Sequence, residues 1–265
     1  MKNKEIGILK QASRIALKNK KWVLLSSFMD LLFFFVYGFA TAPIYRKLVE
    51  YINVIGSFAG EAIQTATRES RSMSTILMDP AISSYFYDMI LLLIILWITV
   101  YFLYCLFQAF NWKIALQLTG KKIRYLDYLK KFAVMNILWF VLFIAYYLLG
   151  FAIDIRKTII SAVMQTSPSS MLNIILAFFL IIIAYFAVIS YVKISLKKAF
   201  FIGKSKIRQL LPSVLIIAIY ILVLNIILAL LTQLNVILAI VLGLILLIPA
   251  ITFARIYISL ITNKV

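Results

Sequence analysis

Residues 89–110 read MILLLIILWITVYFLYCLFQAF, twenty-two positions without one charged side chain. A run of about 18 or more apolar residues is long enough to cross hydrocarbon as a helix, because each residue advances 1.5 Å along the axis. The bilayer core offers no water to backbone N–H and C=O groups, so they must bond inside the segment, and an α-helix does this. A spanning β-strand would alternate apolar and polar residues over about ten positions, and 89–110 does not alternate. Working outward, five more windows have the same character: Trp22–Ala42, Phe132–Ile153, Met171–Val192, Val214–Leu231 and Val236–Ala254. Of the six windows only the first carries a charge, Asp30.

The expected fold class is therefore all-α: a polytopic membrane protein, one membrane domain over 1–265, with spans at 22–42, 89–110, 132–153, 171–192, 214–231 and 236–254. The 65% hydrophobic content and mean hydropathy of +1.05 agree, since soluble domains average roughly 45–50% apolar. Ala40-Thr41-Ala42 has the small-x-small form of a signal cleavage site. Its apolar run is longer than a signal core of about 7–15 residues, and Pro43 would follow the cut, so the first helix is expected to be retained.

The net charge of +18 is distributed unevenly. Segments 1–21, 111–131, 193–213 and 255–265 hold 21 Lys/Arg and only Glu5 and Asp127 as acids. Segments 43–88, 154–170 and 232–235 hold six basic and six acidic residues. Basic residues near helix ends keep their loops in the cytoplasm, so both termini are expected there, in the cell membrane. The excess charge then reads as a topology signal rather than a nucleic-acid footprint, and no nucleic-acid partner is expected.

A short pattern recurs at these basic elbows: RIALK at 14–18, KIALQ at 113–117 and KISLK at 193–197. The second and third copies are followed by GKKIR at 120–124 and GKSKIR at 203–208. Three helical-hairpin units, each entered through a basic elbow, would produce this, as duplicated membrane folds do. A chain rich in Lys, Ile and Leu also generates such recurrences cheaply, and both origins remain open.

At the chain start, Lys10, Arg14, Lys18 and Lys21 form one helical stripe, with Ile8, Leu9, Ala12, Ile15 and Ala16 opposite. Such a helix can lie among headgroups, each cation contributing about 1 kcal/mol against an anionic leaflet. The alternative is that it merely fixes orientation and packs on the bundle. In 43–88, Ile52, Ile55, Ala59, Ala62, Ile63 and Ala66 share a face opposite Glu50, Asn53, Ser57, Glu61, Gln64 and Arg68, which predicts an amphipathic extracytoplasmic helix. Arg68–Ser74 (RESRSMS) reads as a flexible tip.

Asp30 is the candidate functional residue. It lies about 12 Å inside the first window counted from Trp22, and an aspartate there costs roughly 2.5–3.5 kcal/mol unless it faces protein or a wet cavity. Ser26 and Ser27 share its helical side and are candidate hydrogen-bond donors to it. Gln108, Asn111, Asn136 and Arg255 belong to the same half of the bilayer by the expected topology. Asp30, Gln108, Asn136 and Arg255 could then form a polar pocket for a solute, an ion or a lipid head. The alternative is hydrogen bonding between helices, worth about 0.6–2 kcal/mol per group.

Enzymatic chemistry finds no support. There is no histidine to activate a nucleophile, no paired intramembrane carboxylates, and no glycine-rich phosphate loop. The lone Cys105 and the missing histidines leave no metal set, and no cofactor is expected.

Six helices joined by the KIALQL…GKKIR and KISLKK…GKSKIR elbows resemble the membrane domain attached to some glycerophosphodiester phosphodiesterases, and its stand-alone relatives. That resemblance implies the six-helix domain alone; no catalytic domain is expected within these 265 residues, and the resemblance supplies no site residue. The layout is also similar to that of export-type ABC permeases, which would imply an ATPase partner docking on a cytoplasmic helix within 111–131. The function expected is a non-enzymatic membrane protein that binds anionic lipid or a partner as an accessory factor. The alternative is transport, as an ABC-type permease subunit or a small-solute carrier.

Overall fold

A computed structural model describes residues 2–69, 80–164 and 171–264. The protein is all-α, with no strand among the described residues, and six of its helices are long and apolar enough to cross a membrane. In chain order they are α1 (Lys2–Lys18), α2 (Lys20–Glu69), α3 (Pro80–Leu118), α4 (Tyr125–Met164), α5 (Met171–Lys193), α6 (Leu196–Ser205), α7 (Ile207–Leu234) and α8 (Val236–Leu242). A π-helical turn at Gly243–Leu247 leads directly into α9 (Ile248–Lys264). The spans lie in α2, α3, α4, α5, α7 and the α8–α9 rod.

The helices outrun the apolar windows. Hydropathy marks where the chain meets lipid, whereas a helix, once nucleated, adds one bond per residue and continues into polar flanks. The 50 residues of α2 extend about 75 Å. The amphipathic segment expected after the first span is therefore not a separate helix; its backbone continues α2 unbroken through Pro43 to Glu69. Proline deletes one backbone bond, which the intact turns on either side absorb, and membrane helices tolerate it. Arg68 and Glu69, assigned above to a flexible tip, close this helix; 70–74 lie outside the described residues.

Two compact units are present, Leu32–Tyr104 and the combination of Met1–Leu31 with Cys105–Val265. In the first, Tyr51 of α2 meets Tyr85 of α3 edge to face at 5.8 Å. The outward rings of Phe35 and Phe39 are 72% and 80% exposed, a placement that water would penalise and hydrocarbon favours.

The second unit holds the core. There α1 packs on α9, α4 on α5, and α5 on both α6 and α9. Tyr191 of α5 is the hub, its ring 4.6 Å from Phe132 and 5.5 Å from Trp112. Its carbonyl accepts from Tyr128 Oη at 2.9 Å, and Trp139 Nε1 donates to Ser190 Oγ at 2.9 Å. Gly203 lets α6 close on α5. A Cβ there would stand 2.6 Å from Phe186 Cε1, and the Gly203 carbonyl accepts from Tyr185 Oη at 2.9 Å.

The three copies of the recurring pattern take different places. RIALK forms the end of α1, and KIALQ lies inside the end of α3. KISLK straddles the break between α5 and α6, where Ile194 has φ +58°. After KIALQ the chain stops in a Schellman turn: Lys121 N–H donates to Leu116 O, Gly120 N–H to Gln117 O, and Gly120 takes φ +97°. Segment 111–131 consequently contains the end of α3, that turn and the start of α4. The separate cytoplasmic helix expected there, by similarity to ABC permeases, does not form; the short separate helix is α6.

Candidate functional site

Three helices bring their polar residues to one place. On α2, Ser26 and Asp30 are four residues apart; on α3, Gln108 and Asn111 are three apart; on α9, Thr252 and Arg255 are three apart. Each pair thus shares one helical face. Arg255 reaches Asp30 with both arms, Nη1 to Oδ2 at 2.6 Å and Nη2 to Oδ1 at 2.8 Å. Asn111 Nδ2 donates to Asp30 Oδ1 at 2.8 Å, and Gln108 Nε2 adds a longer bond of 3.4 Å. Gln108 Oε1 in turn accepts from Arg255 Nη2 at 2.8 Å.

The network continues outward through hydroxyls. Ser26 Oγ donates to Asn111 Oδ1 at 3.1 Å, and Thr252 Oγ1 donates to Ser26 Oγ at 3.2 Å. The Asp30 and Arg255 side chains are 3% and 7% exposed, and Asn111, Ser26 and Thr252 are fully buried. Within low dielectric an unpaired ion would be prohibitive. Here cation and anion cancel, and bidentate geometry gives the strongest form of the pairing.

Of the residues expected to converge, the structure thus joins Asp30, Gln108, Asn111 and Arg255. Asn136 belongs to a different set: its Oδ1 accepts from Tyr191 Oη at 2.7 Å and its Nδ2 lies 3.5 Å from Cys105 Sγ. Ser26 bonds Asn111 rather than Asp30, and Ser27 Oγ is buried without a hydrogen-bond partner. Thr252 escaped sequence reading, although its spacing of three from Arg255 was the available signal.

The basic stripe of α1 stands apart from this network. Ile8 and Ala12 are buried and Ile15 and Ala16 half-buried, on the side that packs on α9. Gln11 Oε1 accepts from Lys264 Nζ at 2.7 Å, tying α1 to the end of α9. The outward face carries a groove of 740 Å³ lined by Leu9, Lys10, Arg14, Leu17, Lys18 and Lys20. Leu9, assigned above to the apolar side, is exposed and lines the groove; Lys21 is exposed outside it.

A second concentration of charge surrounds the α3–α4 turn and the α5–α6 break. Lys121 Nζ donates to the Val192 carbonyl at 2.8 Å, capping the end of α5. Burial, followed by the neighbouring charges of Lys193 and Lys198, holds Lys121 below the usual lysine pKa. Comparison with family models, with curated proteins and with solved structures returns no match.

Proposed function

We propose that this integral membrane protein is a non-catalytic accessory factor that holds anionic lipid headgroups on a basic, cytoplasm-facing surface of the cell membrane. The observation that carries the reading is the α1 groove. One side of α1 is anchored on α9, which turns Lys10, Arg14 and Lys18 outward beside the apolar Leu9 and Leu17. Cations above an apolar floor match a phospholipid, whose phosphate sits above its acyl chains.

The Asp30–Arg255 network fits this reading as a fastener between the first, second and last spans. Every charge in it is already answered by a protein group, which leaves it little to offer a solute. A carrier would have to open it, and the π-helical turn just before α9 is the feature that favours this second reading, since such turns frequently mark functional sites. The uneven charge supports both termini facing the cytoplasm.

The test is lipid enrichment. Protein reconstituted in nanodiscs of equal zwitterionic and anionic lipid, then extracted in mild detergent, should retain anionic lipid preferentially. A K10Q/R14Q/K18Q variant should lose most of the preference. Equal retention of both lipid classes by the unaltered protein would overturn the proposal, and vesicle flux that Asp30→Asn abolishes while the variant stays inserted and folded would install transport in its place.

A further inference from the structure

A second cleft, of 370 Å³, is lined by Lys130, Lys131, Val134 and Met135 of α4 and by Ile194. Its position is set by the break between α5 and α6. Ile194 holds a left-handed backbone, φ +58°, that is costly for a β-branched residue. The next residue, Ser195, caps α6 by accepting from Lys198 N at 3.4 Å. The strained residue therefore forms one wall of the cleft, and the lysines of the second turn of α4 form another.

The charge around it is one-sided. Segments 111–131 and 193–213 contain twelve Lys/Arg and one acid, Asp127. That acid is already bonded to Arg124, Nε to Oδ2 at 2.7 Å. No carboxylate of these segments remains to neutralise Lys130 and Lys131. Near the break, burial first and then the charges of Lys193 and Lys198 hold Lys121 below the usual lysine range. Topology accounts for the basic character of these segments, and at the cleft it leaves Lys130 and Lys131 without a carboxylate from them, so an arriving anion meets no competitor there. The concavity is open to the surface, and exposed Val134 beside the lysines suits the hydrocarbon part of a ligand that stays in contact with its surroundings.

We infer that the Lys130–Lys131–Ile194 cleft is a discrete binding site for the phosphate headgroup of an anionic phospholipid, with the upper acyl chain lying along Val134. The inference rests on the lipid-binding reading given above but uses none of the residues of the α1 groove. Bound lipid would bridge α4 to the α5–α6 break.

Native mass spectrometry of the full-length protein, titrated with phosphatidylglycerol in detergent, tests this. The expected result is that K130Q/K131Q binds one lipid fewer, the lost site weakening roughly 30-fold, the effect of two lysines beside an anionic headgroup. Val134→Trp keeps both charges and fills the apolar wall, and should lose the same lipid, with unfolding temperature as the control for folding. K10Q/R14Q/K18Q should leave this lipid in place. Inorganic phosphate and glycerol 3-phosphate at matched concentration should compete weakly; displacement by either as effective as by the lipid overturns assignment to a membrane source. Unchanged lipid count in K130Q/K131Q overturns the cleft while leaving the α1 reading intact. Loss of selectivity in neither variant set overturns both.

Discussion

Asp30→Asn removes the charge that answers Arg255 and leaves a side chain only 7% exposed without its counter-ion. Breaking one partner of a buried ion pair costs about 3–5 kcal/mol, most of it the desolvation of the stranded ion. Arg255→Gln strands Asp30 in the same way, at a similar cost. The double variant D30N/R255Q strands nothing. The introduced asparagine keeps an acceptor for Asn111 Nδ2, and the introduced glutamine keeps a donor, so only weakened hydrogen bonding remains, roughly 1–3 kcal/mol. Independent effects would instead sum to about 6–10 kcal/mol. Unfolding in mixed detergent micelles, followed by circular dichroism across all four proteins, measures the difference. The expected signature is a double variant more stable than either single one. Additive losses, or singles indistinguishable from the unaltered protein, would refute the fastener role.

Three glycines should respond differently to alanine in the same assay. Gly203→Ala drives a methyl into Phe186, whose ring is itself confined 4.9 Å from Phe200, and should cost about 1–3 kcal/mol. Gly120→Ala meets no atom within 4 Å yet must adopt φ +97°, so its loss of about 1 kcal/mol is purely conformational. Gly7→Ala meets nothing and lies within α1, so stability should be unchanged or rise by up to about 1 kcal/mol. Tyr191→Phe deletes the 2.7 Å bond to Asn136 and should cost about 1–2 kcal/mol without altering lipid retention. Lys121 gives a pH signature. Its charged form is disfavoured in the fold, so the unfolded chain binds more protons, and stability should rise with pH approaching 10.5. Lys121→Gln should flatten that rise in pH-dependent melts, and an undiminished rise would assign it to other groups.

The spans were legible because lipid imposes one rule on the backbone and a length on the helix. Residues 89–110 needed nothing beyond counting. Asp30 stood out for the same reason, since a lone carboxylate in an apolar window must find a partner, and Arg255 lies just beyond the last window. Their meeting required the rotation of α2 and α9 about their axes, which periodicity does not determine. Asn136 shows the consequence. It occupies a plausible depth on α4, but its face points to Tyr191 and Cys105. The elbows hid more. KIALQ and KISLK look alike, yet Gly120 closes one helix in a low-cost turn while Ile194 breaks another in a strained one. That difference depends on what each elbow packs against, and so does the lysine cleft beside Ile194.

The central claim is that hydrocarbon surrounds the six spans and that the basic elbows share one side of it. Single cysteines in a Cys105→Ala background, at positions 18, 122, 206 and 264 and at position 52, can be labelled in sealed right-side-out vesicles with a membrane-impermeant maleimide. Position 52 is expected to react at once and the other four only after permeabilisation. Labelling of 122 or 206 in intact vesicles, or of 18 and 264 from opposite sides, would contradict it.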